Sequence, residues 1–133
     1  MPWIIAALIS LVLFHPAEFT IGGGKPRIVK EGTTIWLSQD VTDAGFRQLA
    51  GLTKLKLLYL AKTKVGDSGM KVIANFMQLE HLKLNETSIT DTGLLELRVL
   101  KNLKSLDVYH TKASAAAVEQ LDRSLPNVQI RFR

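Results

Sequence analysis

The feature that most constrains the fold of this chain is an internal repeat with a period of about 24 residues. One full copy covers residues 79–102, and further copies flank it on both sides. A unit of this length cannot bury its own apolar face, so neighbouring units must stack into a solenoid with a shared core. The positions in register include Leu55, Leu79 and Leu103; Leu58, Leu82 and Leu106; Leu60, Leu84 and Val108; Thr63, Thr87 and Thr111; Asp43, Asp67 and Asp91; and Gly45, Gly69 and Gly93.

Each unit combines two hydrophobic periods. Over residues 55–61 apolar positions alternate, which predicts a strand with Leu58 and Leu60 inward and Leu57 and Tyr59 outward. After a turn the apolar residues recur every three positions, which predicts a short helix with one buried face. In one unit these helical positions are Met70, Ile73 and Phe76. The pattern therefore predicts one short parallel strand and one short helix in every repeat.

The aspartate column falls where each helix should begin. Asp43, Asp67 and Asp91 each follow a residue that can also cap a helix or open a turn. We predict that side chains in these two columns, with Thr42, Thr90 and Ser114 as the other candidates, cap the helix of their own unit. Metal binding is the alternative role for such carboxylates, and the pattern favours capping.

These columns resemble the leucine-rich repeat family, in particular its ribonuclease-inhibitor-like and cysteine-containing short repeats. The shared pattern, LxxLxLxxT-x-(V/I)-x-D-x-G, begins at residues 55, 79 and 103, and the resemblance covers residues 34 to 130. Threonine stands where the subclass often has cysteine or asparagine, and its hydroxyl can still bond to loop backbone. The last unit has Ala115 and Ala117 in place of the aspartate and glycine, as a terminal repeat should. The resemblance implies an α/β solenoid with a parallel sheet on one face.

Three segments are predicted along the 133 residues. Residues 1–17 form an apolar N-terminal segment, residues 18–33 a spacer and cap, and residues 34–133 the repeat domain. The apolar run at 3–14 is shorter than the roughly 20 residues of a membrane span but has the length of a signal-peptide core. No Lys or Arg precedes it, and no small-residue cleavage site follows.

The role of this N-terminal run is open between a signal peptide or anchor, a helix packed on the end of the solenoid, and a truncated or mis-started chain. The first interpretation predicts an exported or membrane-anchored protein that associates with a membrane through residues 3–14. The TDAGF and TDTGL units in such a short chain resemble those of bacterial proteins. The glycines at 22–24 precede Lys25 but lack the spacing of a phosphate loop, so they are interpreted as a spacer.

The first strand has an ambiguous register. Arg27 to Leu37 is predicted to form a strand or hairpin, and strict alignment points Thr34 and Trp36 inward while leaving Ile35 and Leu37 exposed. A slip of one residue would reverse every side chain. We favour a local irregularity that brings Trp36, or Ile35 and Leu37, over the end of the core. At the other end, residues 128–132 alternate and predict a closing edge strand.

Reactive groups are sparse. The absence of cysteine excludes disulfides, thiolate catalysis and cysteine-ligated zinc. His81 and His110 are the candidates for a base or metal ligand, but no spacing supplies the group that would orient them. The sequence therefore predicts no enzyme and no cofactor. The formal charge of +5 does not predict nucleic-acid binding, because carboxylates at Glu80, Glu86 and Asp107 interrupt the lysines.

The outward side of the strands is the predicted partner-binding surface. Its N-terminal half is apolar and aromatic, extended by Ile35 and Leu37 if these are exposed, and its C-terminal half is polar. An aromatic centre with a polar rim is typical of protein interfaces, which predicts a protein–protein interaction module. The alternatives are that the N-terminal segment covers this surface, or that the chain is an accessory subunit or scaffold of a membrane complex docked through that segment. The predicted contact residues are Leu57, Tyr59, His81, Lys83, Asp107 and Tyr109.

Overall fold

One six-stranded sheet and a layer of short helices make up the described part of the chain, which in this computed structural model is residues 27–29, 33–37 and 39–133. The strands follow chain order across the sheet, with β1 antiparallel to β2 and all later neighbours parallel. The strands are β1 Arg27–Val29, β2 Thr34–Trp36, β3 Leu57–Tyr59, β4 His81–Lys83, β5 Ser105–Asp107 and β6 Gln129–Arg131.

A helix follows each strand from β2 to β5 and packs behind the sheet. The predicted α/β solenoid, with a parallel sheet on one face and one short helix per repeat, is confirmed. The predicted N-terminal hairpin and closing edge strand are confirmed as β1–β2 and β6. The helices are α1 Asp43–Phe46, α2 Asp67–Ile73, α3 Asp91–Glu96 and α4 Ala115–Ser124, with 3-10 turns at Arg47–Leu49 and Leu97–Val99.

The predicted apolar N-terminal segment and most of the spacer lie outside the described residues. Within the described ranges, no helix combines the length and the hydropathy that crossing a membrane requires.

The core lies between the sheet and the helices and runs without a break through the repeats. Leu58, Leu82 and Leu106 stand in register on adjacent parallel strands and are almost completely buried. On the helix side, Phe46 and Phe76 meet edge to face with ring centroids 6.3 Å apart. Because each leucine contacts its counterpart in the next unit, burial couples the repeats to one another.

The first strand departs from the strict repeat alignment. Ile35 pairs with Leu58 and is fully buried, Leu37 is 8% exposed, and Trp36 points outward with 40% of its surface accessible. Only four positions separate Leu37 from Val41, whereas five separate Leu60 from Val65. One residue fewer in this turn shifts the strand so that its aliphatic residues enter the core. The expectation that Ile35 and Leu37 extend the outward apolar surface is therefore wrong.

The turn after each regular strand has a left-handed residue, found at Lys62, Glu86 and His110 with φ of 62°, 58° and 55°. Left-handed backbone costs a non-glycine residue about 1–2 kcal/mol, so neighbouring interactions must offset it. The following threonine does so in part, because its hydroxyl donates to a carbonyl three residues back. Thr63 reaches Leu60 at 2.8 Å, and the two later threonines make the same bond. The predicted bond from the threonine hydroxyl to loop backbone is confirmed.

The aspartates act between repeats and not within them. Asp67 accepts hydrogen bonds from the backbone N–H of Thr90 at 2.8 Å and from its hydroxyl at 2.6 Å. Asp91 accepts the same pair from Ser114, at 2.6 Å and 2.8 Å. The prediction that each aspartate caps its own helix is therefore wrong, because helix starts stack in register and place each carboxylate beside the positive end of the next helix.

Two glycine-containing helix starts show how close this contact is. Asp43 accepts from the N–H groups of Gly66 and Gly69 at 2.8 Å and 3.1 Å, so it supplies the capping oxygen that Gly66 lacks. A Cβ atom on Gly69 would lie 2.8 Å from that same oxygen, and one on Gly93 would lie 3.0 Å from the Cα of Asp67. The glycine column is required because the next helix start rests directly on the aspartate.

The predicted capping of a helix by its own unit holds only at some positions. The hydroxyl of Ser114 accepts from the N–H of Ala117 at 3.2 Å, and that of Thr42 accepts from Gly45 at 3.5 Å. Thr90 makes no such bond, since its hydroxyl donates to Asp67.

Replacing Gly93 with alanine should lower the free energy of unfolding by about 1–3 kcal/mol, as overpacking against a backbone atom typically does. Urea denaturation of the full chain measures this change. Thr92→Ala, at the exposed neighbouring position of α3, is the matched control and should stay within about 0.5 kcal/mol. Equal stability of Gly93→Ala and the parent would contradict the close contact.

The bonds that Ser114 donates through its N–H and hydroxyl hold the pKa of Asp91 below its ordinary value of 3.8. A carboxylate whose pKa is lower in the folded than in the unfolded chain stabilises the fold when the pH is above the pKa of the unfolded chain. This stabilisation is lost as the pH falls through the pKa of the folded chain. Asp91→Asn should therefore be less stable than the parent at pH 7, with a difference that shrinks below about pH 3.8. Unfolding free energies measured from pH 7 to pH 2 test this.

Asp122→Asn, which removes an exposed carboxylate of α4, controls for the loss of one negative charge. A pH-independent difference between Asp91→Asn and the parent would refute the assignment.

Candidate functional site

The outward side of the sheet presents two parallel rows of side chains, one from the first and one from the third residue of each strand. Neighbours in a row lie about 4.8 Å apart because that is the spacing of paired strands. We name them by their most distinctive members. The aromatic row is Trp36, Tyr59, Lys83, Asp107 and Arg131, and the histidine row is Thr34, Leu57, His81, Ser105 and Gln129.

The aromatic row begins with a stacked pair of rings. Trp36 and Tyr59 lie 4.9 Å apart between centroids, with only 7° between their planes. The ammonium group of Lys83, on the strand beyond, is 5.3 Å from the centroid of the Tyr59 ring. Both faces of that ring are thus in contact with neighbours, and the side chain is half-buried. A ring with an apolar body and a polar tip suits contact with a partner that is apolar in part and hydrated in part.

The other end of the aromatic row consists of charged side chains that form no ion pairs with one another. Within the described residues, Lys83 and Arg131 form no ion pair, although Asp107 lies between them in register. One carboxylate oxygen of Asp107 is shielded from solvent and accepts no hydrogen bond from the described part of the chain. A shallow depression of about 280 Å³ covers this end, lined mainly by His81, Lys83, Ser105, Asp107, Gln129 and Arg131.

The two histidines proposed for chemistry have separate partners. Nδ1 of His81 lies 2.7 Å from the hydroxyl oxygen of Ser105, on the neighbouring strand. His110 packs edge to face on Tyr109, with ring centroids 4.8 Å apart. Among the described residues, no group of three or more His, Asp or Glu side chains is placed to hold a metal ion.

Several lysines along the borders of the sheet form ion pairs. At the amino ends of the strands, Glu80 bridges Lys56 at 3.5 Å and Lys104 at 2.5 Å. The hydrogen bond from Lys104, together with the positive charges of both lysines, holds the pKa of Glu80 below its ordinary value of 4.5. At the opposite border Lys62 pairs with Glu86 at 3.7 Å. On the outward face, Lys83 and Arg131 pair with no carboxylate of the described residues.

Most residues predicted for the binding surface lie on it. Leu57 and His81 belong to the histidine row, and Tyr59, Lys83 and Asp107 belong to the aromatic row. Tyr109 lies beyond the end of β5, beside His110. That these residues bind a partner stays a prediction.

Two residues of the aromatic row, Trp36 and Arg131, were not among the predicted contact residues. The register of the first strand was left open between Trp36 inward and Ile35 with Leu37 inward, and the structure has the second arrangement. Arg131 stands 24 positions after Asp107, so the repeat period alone would have placed it.

The Trp36–Tyr59 stack should appear as a coupling in stability. In a double-mutant cycle with Trp36→Ala and Tyr59→Ala, the coupling free energy should be about 0.5–1.5 kcal/mol, the range measured for aromatic pairs. Urea denaturation of the four proteins gives this value. The control cycle pairs Tyr59→Ala with Val99→Ala in the helix layer, where additivity within about 0.5 kcal/mol is expected. Additivity in both cycles would contradict the stack.

No protein-family model matches the chain, and no curated protein matches it. Among solved structures, it is similar to a leucine-rich repeat protein of Leptospira interrogans, with 21% sequence identity and a TM-score of 0.48 over 64% of this chain. The match spans 27% of that longer chain. The assignment of a leucine-rich-repeat-like fold therefore rests on the repeat geometry described above, and the subclass stays a prediction.

Proposed function

We propose that this chain is a non-enzymatic protein-interaction module that binds its partner through the outward face of the parallel strands. The observation that carries the proposal is the exposed Trp36–Tyr59 stack beside the unpaired Lys83. Trp, Tyr and Arg dominate the energetically important positions of protein interfaces, and this row contains one of each. Leu57 adds a half-buried aliphatic surface next to Tyr59.

The helix layer offers no comparable patch in the described residues. Its exposed large apolar side chains, Met77 and Val99, form no stack or ring contact. Single exposed apolar residues are normal on soluble proteins and need no partner. A stacked aromatic pair with an adjacent cation is a more organised surface, so the partner is assigned to the sheet side.

Catalysis is disfavoured by the surroundings of the histidine row. The hydroxyl of Ser105 is within hydrogen-bond distance of His81, which is the start of a nucleophile–base pair. Among the described residues no third group bonds to the remaining ring nitrogen of His81 to orient it. A binding role needs no such orientation, and the two side chains can contact a partner as they stand.

A second role rests on the sequence at residues 3–14. This apolar run supports export or membrane anchoring, and with it a role as an accessory subunit or scaffold of a membrane complex. The two roles are compatible, because one uses the N-terminal segment and the other the sheet.

Photo-crosslinking tests the proposed face directly. The full chain is made with benzoylphenylalanine in place of Tyr59, or in place of Met77 as the control, inside cells that naturally make it. We expect a covalent adduct with a protein partner from position 59 and none from position 77. Trp36→Asp should abolish the adduct, whereas Val99→Asp should leave it intact.

The structural control is a circular dichroism spectrum of each variant, which must match that of the parent. Equal adduct formation from positions 59 and 77, or an adduct that survives Trp36→Asp, would contradict binding through the sheet.

A further inference from the structure

Charge differs between the helices and the rest of the described chain. In the described helices and 3-10 turns, carboxylates outnumber Lys and Arg, whereas in the described strands and loops the reverse holds. The described strands alone contain Arg27, Lys83 and Arg131 against the single carboxylate of Asp107. Complementary charge speeds association and selects among partners, so this asymmetry indicates the kind of partner that the sheet accepts.

The cations of the outward face differ from three lysines at its borders. Lys56, Lys62 and Lys104 already pair with carboxylates of this chain, as described above. Lys83 and Arg131 lie on the strands themselves and are exposed. Neither pairs with a carboxylate of the described residues. These two charges are free to bind carboxylates supplied by another molecule.

We propose that the partner's docking segment is an acidic and apolar peptide. Its apolar side chain lies on the exposed edge of the Trp36–Tyr59 stack, and two carboxylates bind Lys83 and Arg131. This inference rests on the proposed function and adds the chemistry of the partner. A guanidinium group can hold a carboxylate through two parallel hydrogen bonds, which makes Arg131 the more specific of the two contacts.

The spacing of the two cations sets the spacing of the carboxylates. Lys83 and Arg131 are two strands apart, which corresponds to about 10 Å across the sheet. In a polyproline II segment, residues three apart lie on the same side about 9 Å from each other. An acidic residue at every third position of such a segment therefore fits the pair.

Asp107 restricts which residues of the peptide can lie between its two carboxylates. It stands in register between Lys83 and Arg131, so a negative group placed over it would be repelled. Neutral residues must fill that gap. A nucleic acid, with its densely spaced phosphates, would place negative charge near Asp107, which favours a peptide over a polyanion.

The probe is the dye-labelled peptide amide Leu-Pro-Pro-Glu-Pro-Pro-Glu, titrated with the full chain and followed by fluorescence anisotropy. Its counterpart has glutamine at both glutamate positions. We expect saturable binding of the glutamate peptide and about tenfold weaker binding of the glutamine peptide, a loss within the range that two exposed charge pairs produce. Raising the salt concentration should weaken the first and leave the second nearly unchanged.

The matched protein variants are Lys83→Gln/Arg131→Gln on the sheet and Lys71→Gln/Arg98→Gln in the helix layer. Only the sheet variant should lose binding, by about tenfold. Equal binding of the two peptides, equal effects of the two variants, or tighter binding of a polyuridine oligonucleotide through the same cations would each overturn the inference.

The outcomes separate this inference from the proposed function. If the partner cross-linked at position 59 is lost with Trp36→Asp but retained with Lys83→Gln/Arg131→Gln, the sheet binds a protein and the acidic chemistry is wrong. If the crosslink survives Trp36→Asp, binding through the sheet is wrong.

Discussion

Each helix start after the first is held by the aspartate of the unit before it, and this contact organises the stack. The carboxylate of Asp67 satisfies both the N–H and the hydroxyl of Thr90, and Asp91 does the same for Ser114. Helix N-termini carry unsatisfied N–H groups and partial positive charge, so a carboxylate there is favourable. The absence of a side chain at Gly69 and Gly93 lets the units approach closely enough for these bonds.

Regular stacking of the helices imposes regular stacking of the strands. Since each unit advances by one strand spacing, outward residues of the same register form rows that cross the sheet. Tyr59 illustrates the consequence, because Trp36 covers one face of its ring and Lys83 lies over the other. The surface offered to a partner is therefore a property of the stack, and no single repeat contains it.

Much of this architecture follows from the sequence, because the buried apolar positions recur with the period of the repeat. The leucine columns predict the core, and the change from period two to period three predicts strand and helix. The bonds from each aspartate to the next repeat could not be predicted in the same way. A carboxylate at the start of a helix can accept hydrogen bonds from its own helix or from the neighbouring one, and the sequence pattern is the same in both cases. Ile35 points into the core because the turn before Val41 is one residue shorter than in the regular repeats. The sequence leaves two registers open, one that buries Trp36 and one that buries two aliphatic side chains, and the choice depends on how each packs in the core.

The most direct measurement is an NMR titration of isotopically labelled full chain with the partner recovered by crosslinking. We expect the largest shift changes at the indole N–H of Trp36 and at backbone amides of β2 to β5, centred on Tyr59 and Lys83. Amides of α1 to α4 should change little, because the helix layer faces away from the partner. Shift changes concentrated in the helices, with the indole of Trp36 unaffected, would contradict binding through the sheet.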